Sequence, residues 1–394
     1  MGASMKIFLT LSAAAVLATV APAEARQDKK PAPTQKEIDD AVWRGVDYLK
    51  TAPSPGSHLQ GNCDALILLT LIHVGIDEKN PVFQKLLKSI VEEELKHTYK
   101  VALQAMCLED LDPTRYQYRI AQCAQFLVDN QCANGQWSYG SPTEFTKEIP
   151  SVPFKADVAS EPKKKSGVVD FGATKKKSKP TTKYVVKKMK PGPGEGDNSN
   201  TQYAALGLRA CHDANVVLPQ DVLHLARKWL VESQWESEDG AAGKAAVGTG
   251  GDGAAPPKGW NYTNSTRGAD QKPYHPMTAG AVGAVCIYEY MLGRDWKKDK
   301  VANSGMAWLG AKFAVNTNYY YMYGLERAGM LYGTERIGAH DWYLEGAREI
   351  LDHQNADGSW GARGDKAENT WDTCFAILFL KKATKAIATG DQRK

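Results

Sequence analysis

Gln131-Cys132-Ala133-Asn134-Gly135-Gln136-Trp137 and Gln354-Asn355-Ala356-Asp357-Gly358-Ser359-Trp360 share the pattern Gln-x-x-x-Gly-x-Trp, and each stands at the end of an amphipathic helical stretch. The residue types suit a joint between two helices. Asn-Gly or Asp-Gly supplies a tight turn, Gln satisfies backbone groups left free at a helix end, and Trp fills the wedge between packed hairpins. A third, expanded copy begins at Gln234-Trp235 and resumes at Gly259-Trp260. Gln131, Gly135, Trp137, Gln354, Gly358 and Trp360 are therefore read as structural residues.

Working outward from these joints, apolar residues at helical spacing recur in pairs of segments. One member of each pair is amphipathic: 36–51, 81–96, 115–131, 219–234, 298–313 and 340–354. The other is apolar nearly all round: 62–76, 99–110, 199–213, 275–292, 318–332 and 369–384. The two kinds alternate strictly. An amphipathic helix faces solvent on one side, whereas an all-round apolar helix needs neighbours on every side. The pattern predicts an all-α protein of six helical hairpins, an α/α toroid with an inner ring of six helices inside an outer ring of six. An open solenoid of helix pairs gives the same alternation, so closure rests on the count of six and on the lack of polar capping repeats.

The helical region spans 36–388 and is interrupted twice. Residues 138–198 hold Lys163-Lys164-Lys165, Lys175-Lys176-Lys177, Lys187-Lys188 and Pro191-Gly192-Pro193-Gly194, and read as a mobile basic insertion with too little apolar content to fold alone. Residues 238–258 read as a flexible Gly/Ala-rich insertion. At the start, Met5-Lys6 precedes an apolar run from Ile7 to Val20 and a small-residue exit, Ala21-Pro22-Ala23-Glu24-Ala25. This order reads as a secretory signal over 1–25, cleaved after Ala25 or Ala23 and followed by a disordered segment over 26–35. The apolar run is about 14 residues, short of the roughly 20 that span a bilayer. The expected location is the periplasm, cell envelope or exterior, with no membrane span after cleavage.

Hydrophobic residues make up 43% of the chain, enough for a large core, and the net charge of +4 implies no nucleic-acid partner. The lysine clusters would suit an anionic surface or polymer. Seven cysteines without the dense spacing of a disulfide scaffold read mostly as small buried residues.

The Gln-x-x-x-Gly-x-Trp joints are similar to the QW repeats of squalene and oxidosqualene cyclases, whose helical toroid is shared with protein prenyltransferase β subunits. The resemblance covers nearly the whole chain after residue 25 apart from the two insertions, and it implies an architectural role for the motif. It does not carry the catalysis across. Class II cyclases use Asp-x-Asp-Asp, and the nearest string, Glu109-Asp110-Leu111-Asp112-Pro113, reads as a helix end stopped by proline. Prenyltransferases bind zinc with Asp-x-Cys and a later His. Asp372-Thr373-Cys374 matches the pair, but no histidine follows it, so no metal or other cofactor is expected. Leu325-Glu326-Arg327-x-Gly329 and His340-Asp341-Trp342-Tyr343 further resemble exported bacterial prenyltransferase/squalene-oxidase-repeat proteins of unassigned activity.

Aligning Cys63-Asp64-Ala65-Leu66 on Cys374-Phe375-Ala376-Ile377 places Cys63 and Cys374 at equivalent positions in the first and last repeats. A disulfide stapling a closed ring and a pair of buried thiols both remain open readings. In a toroid the N-terminal ends of the inner helices line the central cavity and favour anionic or oxygen-rich groups. The candidate ligand residues are Tyr99, Gln202, Tyr319, Tyr320, Arg327 and Trp371. Candidate acid/base groups are Asp372, Glu326, His275 and His340, with no spacing that fixes a reaction. The competing reading is structural: Asp341 caps a helix, Glu326 and Arg327 make ion pairs, and the tyrosines pack. The expected function is a binding or scaffold protein with neither cyclase nor prenyltransferase activity. The alternative is an enzyme acting on an isoprenoid, lipid or carbohydrate in the cavity.

Overall fold

The computed structural model describes residues 30–51, 63–153, 180–236, 255–263, 272–362 and 366–387. The leader read at 1–25 and the lysine runs at 163–165 and 175–177 lie outside the described residues. The protein is predominantly helical, and the helices among the described residues fall within the unit that begins at Ala32. In chain order they are α1 (Gln35–Thr51), α2 (Asp64–Val74), α3 (Pro81–Glu92), α4 (Thr98–Leu111), α5 (Gln117–Asp129), α6 (Asn198–Asp213), α7 (Gln220–Glu232), α8 (His275–Met291), α9 (Lys300–Ala311), α10 (Tyr319–Tyr332), α11 (Trp342–Asp352) and α12 (Lys366–Leu380). The odd-numbered helices are the amphipathic set, and the even-numbered helices are the apolar set.

Local chemistry fixes where these helices start. The carboxamide oxygen of Asn80 accepts from the backbone of Val82 and Phe83, with Pro81 opening α3. Asp197, Asn318, Asp299 and Asp341 cap α6, α10, α9 and α11 in the same way. At the end of α4, Asp112 accepts from Thr114 and Arg115, and Asp110 pairs with His73 at 3.3 Å. The acidic string at 109–113 is a helix terminus.

Burial divides the two sets. α1 buries one face, with Ile38, Ala41, Val42, Val46 and Leu49 inside and the opposite face in water. α2 buries Leu66, Ile67, Leu68, Leu69 and Leu71, which point in all directions around the helix. Each such side chain contributes roughly 1.5–3 kcal/mol relative to exposure, which holds α2 between neighbours. Those neighbours are other apolar helices: α2 packs on α4, α4 on α6, α6 on α8, α8 on α10, α10 on α12, and α12 on α2. The last apolar helix also packs on α1, as does α11. A buried ion pair joins three consecutive helices, since Arg227 of α7 meets Glu289 of α8 at 2.5 Å and also Asp299 at the head of α9.

The three Trp joints have the same anatomy. Indole Nε1 of Trp137, Trp260 and Trp360 donates to the carbonyl of Leu127, Leu230 and Ile350, at 2.7, 3.0 and 2.8 Å. Each of those carbonyls lies in the last turn of an amphipathic helix, where the helix leaves acceptors unpaired. The backbone N–H of each Trp donates to a threonine of the following apolar helix, Thr201, Thr278 or Thr373. The glutamines reach sideways: Gln131 Nε2 donates to Val222 of α7, Gln234 Nε2 to Val301 of α9, and Gln354 Nε2 to Ala41 of α1.

Short strands occupy the connections. β1 (Ser151–Pro153) pairs antiparallel with β2 (Thr182–Val185), which runs parallel to β3 (Val216–Val217). β4 (Trp235–Glu236) pairs with β5 (Lys258–Gly259), and β6 (Arg336–Ile337) with β7 (His340–Asp341). Both ends of the stretch expected to be a mobile insertion, 138–153 and 180–198, thus carry defined structure. Residues 180–198 are held by polar contacts that composition does not reveal. Gln117 donates to Thr182 O at 2.6 Å, Gln125 to Lys187 O at 2.6 Å, and Met189 N to Asp129 at 2.8 Å. Lys188 donates to Gln131 O at 2.7 Å, a cation at the end of α5. No helix among the described residues is long and apolar enough to cross a membrane.

Candidate functional site

α10 carries Tyr320, Tyr323 and Arg327 on one face, at the three- and four-residue steps that align side chains along a helix. Opposite lie Ser199, Gln202 and Tyr203 from the first turns of α6, Tyr99 from the first turn of α4, and Trp371 and Phe375 from α12. These side chains form one connected cluster. Tyr99 and Tyr203 meet with ring centroids 3.8 Å apart, Tyr99 and Trp371 lie near-parallel at 6.1 Å, and Tyr203 and Tyr320 are at 6.4 Å. Phe375 touches both Tyr320 and Tyr323.

Arg327 sits at the base of the cluster and is 2% exposed. Its guanidinium lies over the rings of Tyr323 and Tyr203, 4.2 and 5.2 Å from their centroids. Nη2 donates to Gln202 Oε1 at 2.9 Å, and Nη1 to the Tyr203 hydroxyl at 3.5 Å. Burial works against the charge, but the surrounding Tyr203, Tyr323, Tyr320 and Tyr99 oppose it, and Arg327 stays a cation. Gln202 also donates to the Tyr320 hydroxyl at 2.6 Å, which lies 2.8 Å from Ser199 Oγ. Ser199, Tyr320 and Trp371 are only partly buried, so water reaches the cluster from the N-terminal ends of α6, α10 and α12.

Tyr99, Gln202, Tyr320, Arg327 and Trp371 are thus brought together. Tyr319 is buried on a different side of α10, within electrostatic reach of Asp372. Ser199, Tyr203 and Phe375 complete the cluster and were not foreseen. Helical steps from the expected residues lead to them: Ser199 precedes Gln202 by three, Tyr203 follows Ser199 by four, and Phe375 follows Trp371 by four.

The four acid/base candidates have separate surroundings. The Asp372 carboxylate lies over the backbone at Gly361 and is partly exposed. Burial, reinforced by Glu368, pushes it up to about 7. Glu326 is fully buried and accepts from Thr384 N at 2.9 Å and Thr384 Oγ1 at 2.6 Å. Burial raises it to about 7 against those two hydrogen bonds. His275 Nε2 lies 2.5 Å from Lys312 O, with Trp308 and Tyr321 at its edges. His340 stacks on Phe313 and faces Glu345 at 3.1 Å.

All seven cysteines are buried. Burial raises the Cys374 thiol, with Cys63 adding to the rise and Thr70 opposing it through a hydrogen bond. Thr70 stands two helical turns, about 10 Å of rise, beyond Cys63 on α2. Among the described residues no group of three or more His, Cys, Asp or Glu is placed to hold a metal ion. Of the insertion's described lysines, Lys188 is used at the end of α5 and Lys190 donates to Pro142 O at 3.0 Å.

Compared with known families and curated proteins, the chain matches none.

Proposed function

We propose that the six apolar helices form the inner ring, and the six amphipathic helices the outer ring, of an α/α toroid related in design to the terpenoid cyclases and protein prenyltransferases. The succession of apolar contacts, ending with α12 on α2, supports closure. The Gln354 tie to α1 and the shared anatomy of the three Trp joints support the QW reading. In this reading the chain is exported and works as a binding protein without cyclase or prenyltransferase activity. Its ligand sits on the Tyr99–Arg327 cluster at the N-terminal mouth of the inner ring.

One observation carries the binding reading. A guanidinium is buried beneath partly exposed Tyr320 and Trp371, and it is held by tyrosines and one glutamine where a structural ion pair would use a carboxylate. Aromatic walls with a few convergent polar groups are the usual lining of small-molecule sites. The test is tryptophan fluorescence of the full chain titrated with isoprenoid alcohols, simple sugars and organic acids, repeated with Trp371→Phe. Saturable changes with one class, abolished in the variant, are expected. No saturable response to any class would sink the proposal.

The enzyme reading keeps one specific support. Asp372 is a partly exposed carboxyl with its pKa pushed up to about 7, where a general acid or base works best. Turnover that is lost in Asp372→Asn while ligand binding persists would favour it.

A further inference from the structure

Donors and acceptors do not balance in the Arg327 cluster. Gln202 Oε1 and the Tyr203 hydroxyl take one hydrogen bond each from the guanidinium, whose faces are covered by tyrosine rings. Among the described residues no carboxylate pairs with it. Glu326, the next residue in the chain, lies within electrostatic reach of Arg327 but gives both oxygens to Thr384. The Tyr99 hydroxyl is buried beside the Tyr203 hydroxyl and makes no hydrogen bond of good geometry. The Tyr320 hydroxyl accepts from Gln202, and among the described residues Ser199 is the partner that could take its proton. The cluster therefore offers a full positive charge and hydroxyl donors, and no anionic acceptor. A buried charge held only by neutral groups and a buried hydroxyl short of a good hydrogen bond are both unfavourable, and an incoming anion would relieve both.

We infer that this cluster binds a carboxylate carried on a flat body, such as an aromatic acid or a uronic acid. The anionic oxygens meet the hydroxyls of Tyr99 and Tyr320 above Arg327, and the flat face lies against Trp371. The inference rests on the reading of the cluster as a binding site. The charge count selects a carboxylate over a phosphate ester, because one arginine neutralises one negative charge and a dianion would bring a second, unpaired charge into a nearly closed site. The walls select the body. Trp371 and Tyr99 are near-parallel, and Trp371 is partly exposed, a surface suited to an aromatic ring or to the C–H face of a sugar.

The test is calorimetric titration of the full chain with benzoate against benzamide and with glucuronate against glucose, inorganic phosphate serving as competitor. One acid is expected to bind about tenfold or more tightly than its neutral counterpart, as for a lost charge-assisted hydrogen bond. Which acid that is identifies the body. Arg327→Met is expected to reduce the acid to the affinity of the neutral compound, and phosphate is expected not to displace it. Tyr320→Phe keeps the ring and removes only the hydroxyl, so it reports even if Arg327→Met does not fold. An unchanged acid affinity in Tyr320→Phe overturns the inference, as does displacement by phosphate. Benzamide or glucose binding as tightly as its acid, with both weakened in Trp371→Phe, overturns the carboxylate and leaves the binding site standing. No binding by any of the four compounds overturns the inference, and the site itself falls only if the isoprenoid alcohols and neutral sugars also fail.

Discussion

Glu326 is a fully buried carboxyl, and such a group folds more easily with its proton on. Its pKa is about 7 in the folded protein against the ordinary 4.5. Asp372 is raised in the same direction, to about 7 from 3.8. Well below the ordinary values both states are protonated and nothing depends on pH. As pH rises the unfolded chain ionises first, so the folded state holds protons that the unfolded state has lost, and stability falls. The fall continues to about pH 7 and then levels off. For Glu326 the shift corresponds to about 3 kcal/mol. Urea unfolding at about pH 5 and about pH 8 is expected to show lower stability at the higher pH, with a shallower decline in Glu326→Gln. A stability that increases across this window, or a slope the substitution leaves untouched, would remove the account. In the sequence Glu326 stands out as a charge within an apolar helix, where a charge needs a partner. Its partner, Thr384, lies 58 residues further on, past the end of α12. By contrast, Tyr320 and Arg327 were legible in the sequence, whereas Tyr323 between them was not singled out and Tyr319 falls off their face, although helical spacing aligns the first three.

At the scale of elements, the joints between helices were legible where the motif is continuous and harder to see where it is split. Gly135 and Gly358 adopt φ of +96° and +87°, and a Cβ at either would lie 2.4 Å from Leu225 O or 2.5 Å from Arg44 O. Backbone strain and backbone clash add at these sites, so Gly358→Ala and Gly135→Ala are each expected to cost about 2–4 kcal/mol. Gly194 has open space around it, and Gly194→Ala is the matched control, expected within about 0.5 kcal/mol of wild type. Thermal unfolding of the three variants distinguishes a shape requirement from a general dislike of losing glycine. In the split copy, Trp235 and Trp260 are reunited by the pairing of β4 with β5. Two-residue strands carry no periodicity, so the sequence shows the two halves of this joint without the ladder between them. The same applies to the basic insertion, whose composition reads as unfolded although glutamines of α5 hold its second half.

At the scale of the molecule, the order and alternation of the helices followed from apolar periodicity, and closure did not. Two sets of contacts bear on it. The tail beyond α12 crosses from α10 to α4 and α6: Thr384 meets Glu326, Lys385 lies 3.7 Å from Glu109, and Ala386 O accepts from Arg209 at 3.3 Å. In the proposed ring, where their C-terminal halves would face a common centre, one short segment could reach all three. Gln354, after α11, donates to Ala41 of α1, 313 residues away, as Gln131 donates to α7 and Gln234 to α9. In an open array the last joint would have no next outer helix to hold. Gln354→Ala removes the hydrogen bonds to Ala41 O and Gly358 O and the acceptor of Arg44, at about 1–3 kcal/mol. If the ring is closed, that loss loosens both sides of the seam, so amide exchange is expected to speed up in α1 as well as in α11 while α5 and α7 keep their protection. Gln131→Ala is expected to give the complementary map, with α5 and α7 faster and α1 unchanged. Faster exchange in α11 alone would mean that the seam does not hold the first repeat to the last, and the toroid would give way to an open stack of hairpins.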